Sequence, residues 1–449
     1  MRKPDPILAA CVALLAACTT TVDPAADYAA TRDDIAAATG VVDARTPDEP
    51  QLSEAEVESV LADGLSLEES RTLALRNNRA LGAAFLAVGI ARADVEQSGL
   101  LRNPTLGVSY MWPDGGGRKR IGGDLVQSVS DLWQVKFRRE LAEADLRERV
   151  LDVVQRAAAL AVDVEREFLG LVATEESLQL ADGEIEIAQE ATRLVERKVE
   201  RGMARSTELA QARSRLAEAQ VARSSAAQQL VQGRKRLALL LSLPGDPARL
   251  RLVAPSLPEQ LEVPTVEALL TLADSRRLDV RAASLAFERA DAAVALERQR
   301  ARPDVAVGLE AEHPEVGTNT PFVGGFNGSI EIPIFDPGQV AIRRAELVRE
   351  QALAEQAAVR SEAEQEIRAA HAAVAAAVDT LEVLEVRALP AAAESLALSR
   401  TALERGHGTA LELLQVSAHA AALQRSRAQA RAAVALARLE LARACGGMP

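Results

Sequence analysis

Aromatic side chains are nearly missing from this chain: they supply 2% of 449 residues, although hydrophobic residues reach 48%. That scarcity excludes a bulky aromatic core, and the abundance of Ala, Leu, Arg and Glu fits long helices packed closely through small side chains. Cysteine is scarce as well, with three in all, two of them in the first 18 residues. A disulfide framework is therefore excluded for a chain that keeps only Cys445 as a free thiol, and no CxxC is present for metal or redox chemistry. Beyond residue 18 there is no apolar run of 18 residues. This excludes a later transmembrane helix and leaves strands as the means of crossing a bilayer. Net positive charge is lacking too: the balance is −13 with pI near 5.1, which argues against a nucleic-acid partner. No Ser–His–Asp, HExxH or phosphate-loop pattern is found, and Gly115-Gly116-Gly117 has no strand–helix context. No catalytic residue and no cofactor is expected. Four Met and four His stand unclustered, so no metal site is expected, at His407 or elsewhere.

What is present begins with an address. Arg2 and Lys3 precede an apolar stretch at 7–17 that is too short to span a bilayer. It ends in Leu15-Ala16-Ala17-Cys18, which resembles a bacterial lipoprotein cleavage box. The resemblance implies a signal peptide over 1–17 and a covalent lipid on Cys18, and Thr19 after it implies the outer membrane. The alternative is an ordinary secretory signal with an incidental cysteine.

The chain then divides into an arm at 18–64, a first copy at 65–247, a linker at 248–263 and a second copy at 264–449. The arm is polar and acidic with Pro24, Pro47 and Pro50, and reads as irregular. In the first copy, Ser66 and Glu69 form a capping box that opens a helix to about Leu101. Asn103-Pro104 stops it. Leu106, Val108, Tyr110 and Trp112 alternate as in a strand, and a weaker strand follows over 124–130. From about Val135 to Arg201 a heptad seam runs without proline through Leu146, Val153, Val164, Phe168 and Leu171. At about 1.5 Å per residue that helix is roughly 100 Å long. After a tip at Gly202, Ser206 can cap a helix that runs to about Leu243.

The second copy repeats the order: a helix over 265–301, a strand containing Val305, Val307 and Leu309, a loop at 314–328, a strand at 329–335, a helix to about Glu404, a tip at Gly406 and a last helix from Thr409. The tips ERGMARSTEL (200–209) and ERGHGTALEL (404–413) align at a constant offset of 204, from Gly202 to Gly406 and Leu209 to Leu413. Pro390 should kink the second long helix. The fold class that follows is mainly α, with long antiparallel hairpins and four strands in two tandem repeats.

Four strands cannot close a membrane barrel, and an open edge in lipid leaves unsatisfied backbone groups costing several kcal/mol each. Three protomers would supply twelve strands, so a homotrimer is expected. Leu106, Val108, Tyr110, Trp112, Val305, Val307 and Leu309 would then face lipid; the alternative is that they pack a soluble sandwich edge. LSLEESRTLALRNNRALGAA (65–84), RLALLLSLPG (236–245), RARPDVAVGLE (300–310), IEIPIFDPGQV (330–340) and the two glycine tips resemble the TolC-like outer-membrane efflux proteins. With the lipoprotein box the likeness is to the branch that serves resistance–nodulation–division pumps. Arg277-Leu278-Asp279 departs from the usual Arg-Pro-Asp.

The resemblance implies a passive trimeric exit duct, with a β-barrel in the outer membrane and an α-barrel in the periplasm. It also implies a periplasmic adaptor and an inner-membrane pump as partners. Under it Gly202, Met203, Ala204, Gly406, His407 and Gly408 form adaptor-binding tips. Glu196, Glu200 and Glu404 near the mouth either line the lumen or belong to a solvated helix face. Two other readings share these features: a duct for secreted proteins, and a periplasmic coiled-coil adaptor or scaffold.

Overall fold

The computed structural model describes residues 21–447 except 113, 115–116, 256–263, 315, 318, 320 and 406. The signal segment 1–17, Cys18 and Gly406 lie outside the described residues. The arm holds helices α1 (Ala25–Thr39) and α2 (Glu54–Leu61). The first copy follows with α3 (Leu67–Asn77), α4 (Arg79–Ser98), β1 (Thr105–Met111), β2 (Arg120–Ser128), α5 (Asp131–Glu200) and α6 (Ser206–Leu240). The second copy contains α7 (Val266–Arg276), α8 (Leu278–Arg300), β3 (Val305–His313) and β4 (Val323–Ile330). After these come α9 (Gln339–Glu382), a π-helical run at Val383–Ala388, α10 (Leu389–Glu404) and α11 (Ala410–Ala444). Among the described residues no helix is long and apolar enough to cross a membrane.

Two compact units are assembled from alternating parts of the chain. One collects residues up to 31, 84–153 and 279–359, and holds all four strands. The other collects 32–83, 154–278 and 360 onward, and is helical. Its main core joins Leu65, Leu73, Val164, Phe168, Leu237, Leu241 and Leu250, all buried, around the middle of α5. The predicted seam is therefore a packing seam: Val153, Val164, Phe168 and Leu171 are essentially inaccessible.

The arm is not irregular. Asp23 accepts the Ala25 N–H ahead of α1 at 3.0 Å, and Pro24 precedes the first helical residue, a start signal that the run of prolines obscures. Ser53 and Glu56 close a complete capping box on α2. α1 is then fixed by tertiary contacts. Arg92 donates two hydrogen bonds to the Asp27 carboxylate, at 2.6 and 2.5 Å, and buried Tyr28 meets the Phe85 ring edge-on at 6.3 Å.

The single helix expected over 65–101 breaks at Asn78, whose backbone is extended. The break is held from outside the helix. Asn77 donates to the carbonyl of Leu241 at 2.8 Å, and Asn78 to that of Leu240 at 2.9 Å. The second copy breaks in the same way at Arg277, whose guanidinium donates to the Ala444 carbonyl at 2.6 Å. Leu240 and Ala444 are separated by the same 204 positions as the tips. In each copy a side chain at the break thus satisfies carbonyls that the last helix leaves unpaired at its end.

Two strands shift from their expected positions. β2 begins four residues earlier than 124–130, and β4 occupies 323–330 instead of 329–335. Val305 pairs with Ile330 and Glu312 with Val323, so the register with β3 draws the glycine-rich stretch 323–329 into the ladder despite its loop-like composition. Pro333 has no N–H to extend the ladder, and Phe335 beyond it is 99% exposed. α5 starts at Asp131 rather than Val135 because Asp131, fully buried, accepts the Arg102 backbone N–H at 2.7 Å and the Arg102 side chain at 2.9 Å. Burial opposes ionisation of that carboxyl, but the hydrogen bonds from Arg102 outweigh it and hold its pKa below the usual range.

Candidate membrane face and helix tips

The sheet is antiparallel in the order β1-β2-β3-β4. Residues directly opposite across a ladder share a face. Leu106 lies opposite Leu125, Val108 opposite Gly123 and Tyr110 opposite Ile121. On the next ladder Leu125 faces Leu309 and Gln127 faces Val307. Leu309 in turn meets Phe326, and Val305 meets Ile330. The sheet therefore brings Leu106, Val108, Tyr110, Val305, Val307 and Leu309 onto one face. Trp112 stands one residue past β1 and is exposed. Periodicity alone missed Ile121, Leu125, Phe326 and Ile330, which complete that face. β4 in particular is hidden by its glycines, although Phe326 is 89% exposed.

The opposite face is mostly small and polar, with Met111, Val126 and Val323 as its larger apolar residues. It carries Ser109, Asp124, Ser128, Glu310, Glu312, Asn327 and Ser329, with Asp124 directly opposite Glu310 and Glu312 3.8 Å from Arg120. An alternation of apolar and polar faces is what a wall between hydrocarbon and water requires. The apolar face is exposed: Val108 keeps 74% of its surface accessible. Among the described residues β1 and β4 each pair on one side only, which leaves two edges of unpaired backbone groups.

The tips are built by helix C-capping. Gly202 takes φ of +72°, its N–H donates to Val199 at 2.9 Å, and the Met203 N–H reaches back to Lys198 at 2.7 Å. This is a Schellman motif, which favours glycine at the left-handed position. At the second tip the His407 N–H reaches back to the Ala402 carbonyl at 2.9 Å, the same six-to-one closure, and Gly408 donates to that carbonyl at 3.0 Å. Met203 and His407 are exposed, while Ala204 and Gly408 are half-buried. The Thr409 hydroxyl caps α11 by accepting from the Glu412 N–H at 3.1 Å. Ser206 is not a cap; the backbone of Arg205 takes that position and donates to the Glu208 carboxylate at 3.5 Å. Behind the tips a core of Ala188, Ala191, Val195, Ala212 and Leu414 ties α5, α6 and α11 together.

Of the acidic residues near the tips, Glu196 is paired with Arg213 at 2.8 Å across the first hairpin, and Glu200 is exposed. The side chain of Glu404 lies outside the described residues.

A family model described as outer membrane efflux protein matches residues 71–242 and 269–447, well over half of the chain. The outer-membrane channel OprN is similar at 19% identity with a TM-score of 0.73, covering 92% of this chain and 95% of that one. CusC is similar at 21% identity and a TM-score of 0.70, over 85% of this chain and 92% of that one. The open state of the Neisseria gonorrhoeae MtrE outer membrane channel gives 21% identity and 0.69, over 85% and 89%. No curated protein matches this chain.

Proposed function

The chain belongs to the outer membrane efflux protein family and is an outer-membrane channel, not an enzyme, and from that membership we propose how its parts divide the work. The observation that carries the reading is the sheet: one face apolar and exposed, the other polar, both edges open. One chain with such a sheet in lipid would leave two rows of backbone donors and acceptors unsatisfied. Joining the β4 edge of one protomer to the β1 edge of the next, three times over, removes every edge and gives a twelve-stranded barrel. Leu106, Val108, Tyr110, Trp112, Val305, Val307 and Leu309 then face lipid, joined by Ile121, Leu125, Phe326 and Ile330, while Asp124 and Glu310 line the bore.

The helical hairpins extend the duct through the periplasm, and the tips at Gly202–Ala204 and Gly406–Gly408 dock a periplasmic adaptor that links the channel to an inner-membrane pump. Two tips per chain in a trimer give six similar docking points. Glu196 belongs to the hairpin's own ion pair with Arg213 rather than to a gate, which leaves Glu200 and Glu404 as mouth residues. Cys18 carries the lipid, and the Asp27–Arg92 clamp holds the arm that leads from it. The test is conductance: full-length protein in planar bilayers forms pores, and Val108→Asp, a charge on the lipid face, lowers insertion sharply while Ser109→Asp, on the bore face, does not. Equal effects of the two substitutions would overturn the assignment of faces.

A further inference from the structure

At the loop end of the sheet, the last pair of the first ladder is Met111 with Arg120. Continuing that register sets Lys119 opposite Trp112, on the apolar face. The Lys119 ammonium lies 6.0 Å from the centre of the Tyr110 ring, and that ring lies 5.9 Å from Trp112. A cation over one of two adjacent aromatic rings at the border of an exposed apolar surface is an arrangement with a direction. The rings and the lysine stem suit the hydrocarbon boundary, and the ammonium suits an anionic oxygen just above it.

The neighbouring charge is spoken for differently. Alternation turns Arg120 to the polar face, where its guanidinium lies 3.8 Å from Glu312. The backbone of Lys119 is also held, because its carbonyl accepts the Val316 N–H at 2.8 Å. Arg118-Lys119-Arg120 is thus a basic step at a set height on a chain whose net charge is −13.

We propose that Lys119, seated over Tyr110 beside Trp112, binds the phosphate of a lipid headgroup at the loop end of the barrel. The occupant is a lipid rather than a soluble anion because the exposed apolar face that begins at the Tyr110 ring continues along the strands through Ile121, Val108 and Leu125, where acyl chains would lie. The inference rests on the barrel reading above.

The experiment is native mass spectrometry of the full-length protein in mild detergent with added phosphatidylglycerol or phosphatidylcholine. The anionic lipid is retained preferentially, and Lys119→Gln lowers its retention roughly fivefold, as one basic residue at an anionic surface implies. Lys119→Arg keeps it, and Lys136→Gln, a basic residue elsewhere, leaves it unchanged. Retention in Lys119→Gln equal to the parent, or displacement of the lipid by inorganic phosphate at equal concentration, would overturn the headgroup site while leaving a trimeric, detergent-bound barrel intact. A chain that stays monomeric and soluble without detergent overturns the barrel itself, and the headgroup site with it.

Discussion

The two copies meet the same structural demands with different chemistry. At the break before the second helix, the first copy uses the neutral amides of Asn77 and Asn78, whereas the second uses the Arg277 guanidinium. Arg277 brings further charge with it: it donates to Glu366 at 2.7 Å, and Glu366 also takes a hydrogen bond from Arg443. At the end of the last helix, the left-handed residue is Ser242 in the first copy and Gly446 in the second, with φ of +51° and +84°. Along the long helix the contrast is larger. α5 runs 70 residues without interruption, while its counterpart changes to a π-helix at Val383–Ala388, just before Pro390. Proline lacks an N–H and its ring crowds the carbonyl four residues back. The widened turn, in which the Leu389 N–H reaches Leu384, accommodates it. The expected kink at Pro390 therefore takes the form of a π-helical run. The two copies share geometry while the polar groups that hold it differ, and among the described residues only the second long helix carries a π-helical run.

Substitutions at these positions should separate the two copies by measurable amounts. Arg277→Ala should cost about 2–3 kcal/mol, because it removes a charged hydrogen bond to Glu366, which keeps Arg443, and leaves the Ala444 carbonyl without its donor. Asn78→Ala should cost only about 1–2 kcal/mol, the value of a buried carbonyl left without its donor. Thermal unfolding in detergent compares the two, and equal costs would mean the pins are energetically alike. Acid should expose the same asymmetry. Burial works against ionisation of Glu366, but hydrogen bonds from Arg277 and Arg443 prevail and hold its pKa below the ordinary glutamate value. Its contribution is thus full above the usual glutamate pKa of about 4.3 and disappears as pH falls through the depressed one. The gap between the parent and Arg277→Ala should narrow on acidification, whereas that between the parent and Asn78→Ala should not.

Pro390→Ala should return the second shaft to regular helix. Since an interior proline costs about 3 kcal/mol in an unadapted helix and less where a π run absorbs it, a gain of roughly 1 kcal/mol is expected. Slower opening of the pore in single-channel records should accompany it; unchanged opening would make the π run a passive bend. Ser242→Gly carries the smallest effect, a gain of up to about 1 kcal/mol from relieving a left-handed non-glycine residue. Loss of the hydrogen bond that the Arg79 N–H donates to the Ser242 hydroxyl, 3.4 Å long, reduces that gain.

Much of this was legible in the residues. Heptad spacing through Val153, Val164 and Phe168 marked a buried seam, and Gly202 marked a helix end. Alternation in β1 and β3 marked one face of the sheet. What stayed hidden depends on partners distant in sequence. β4 is a strand only because β3 pairs with it, so Gly324, Gly325 and Gly328 gave no local sign. The helix breaks at Asn78 and Arg277 are set by carbonyls more than 160 residues away. α1 and α2 were a different matter: Asp23-Pro24 and Ser53 with Glu56 are local start signals, overshadowed by the prolines around them.

A sealed wall requires three chains. Full-length protein extracted in mild detergent and weighed by native mass spectrometry should carry three copies of the polypeptide in one detergent-bound particle. A single copy that needs no detergent to remain in solution would contradict it.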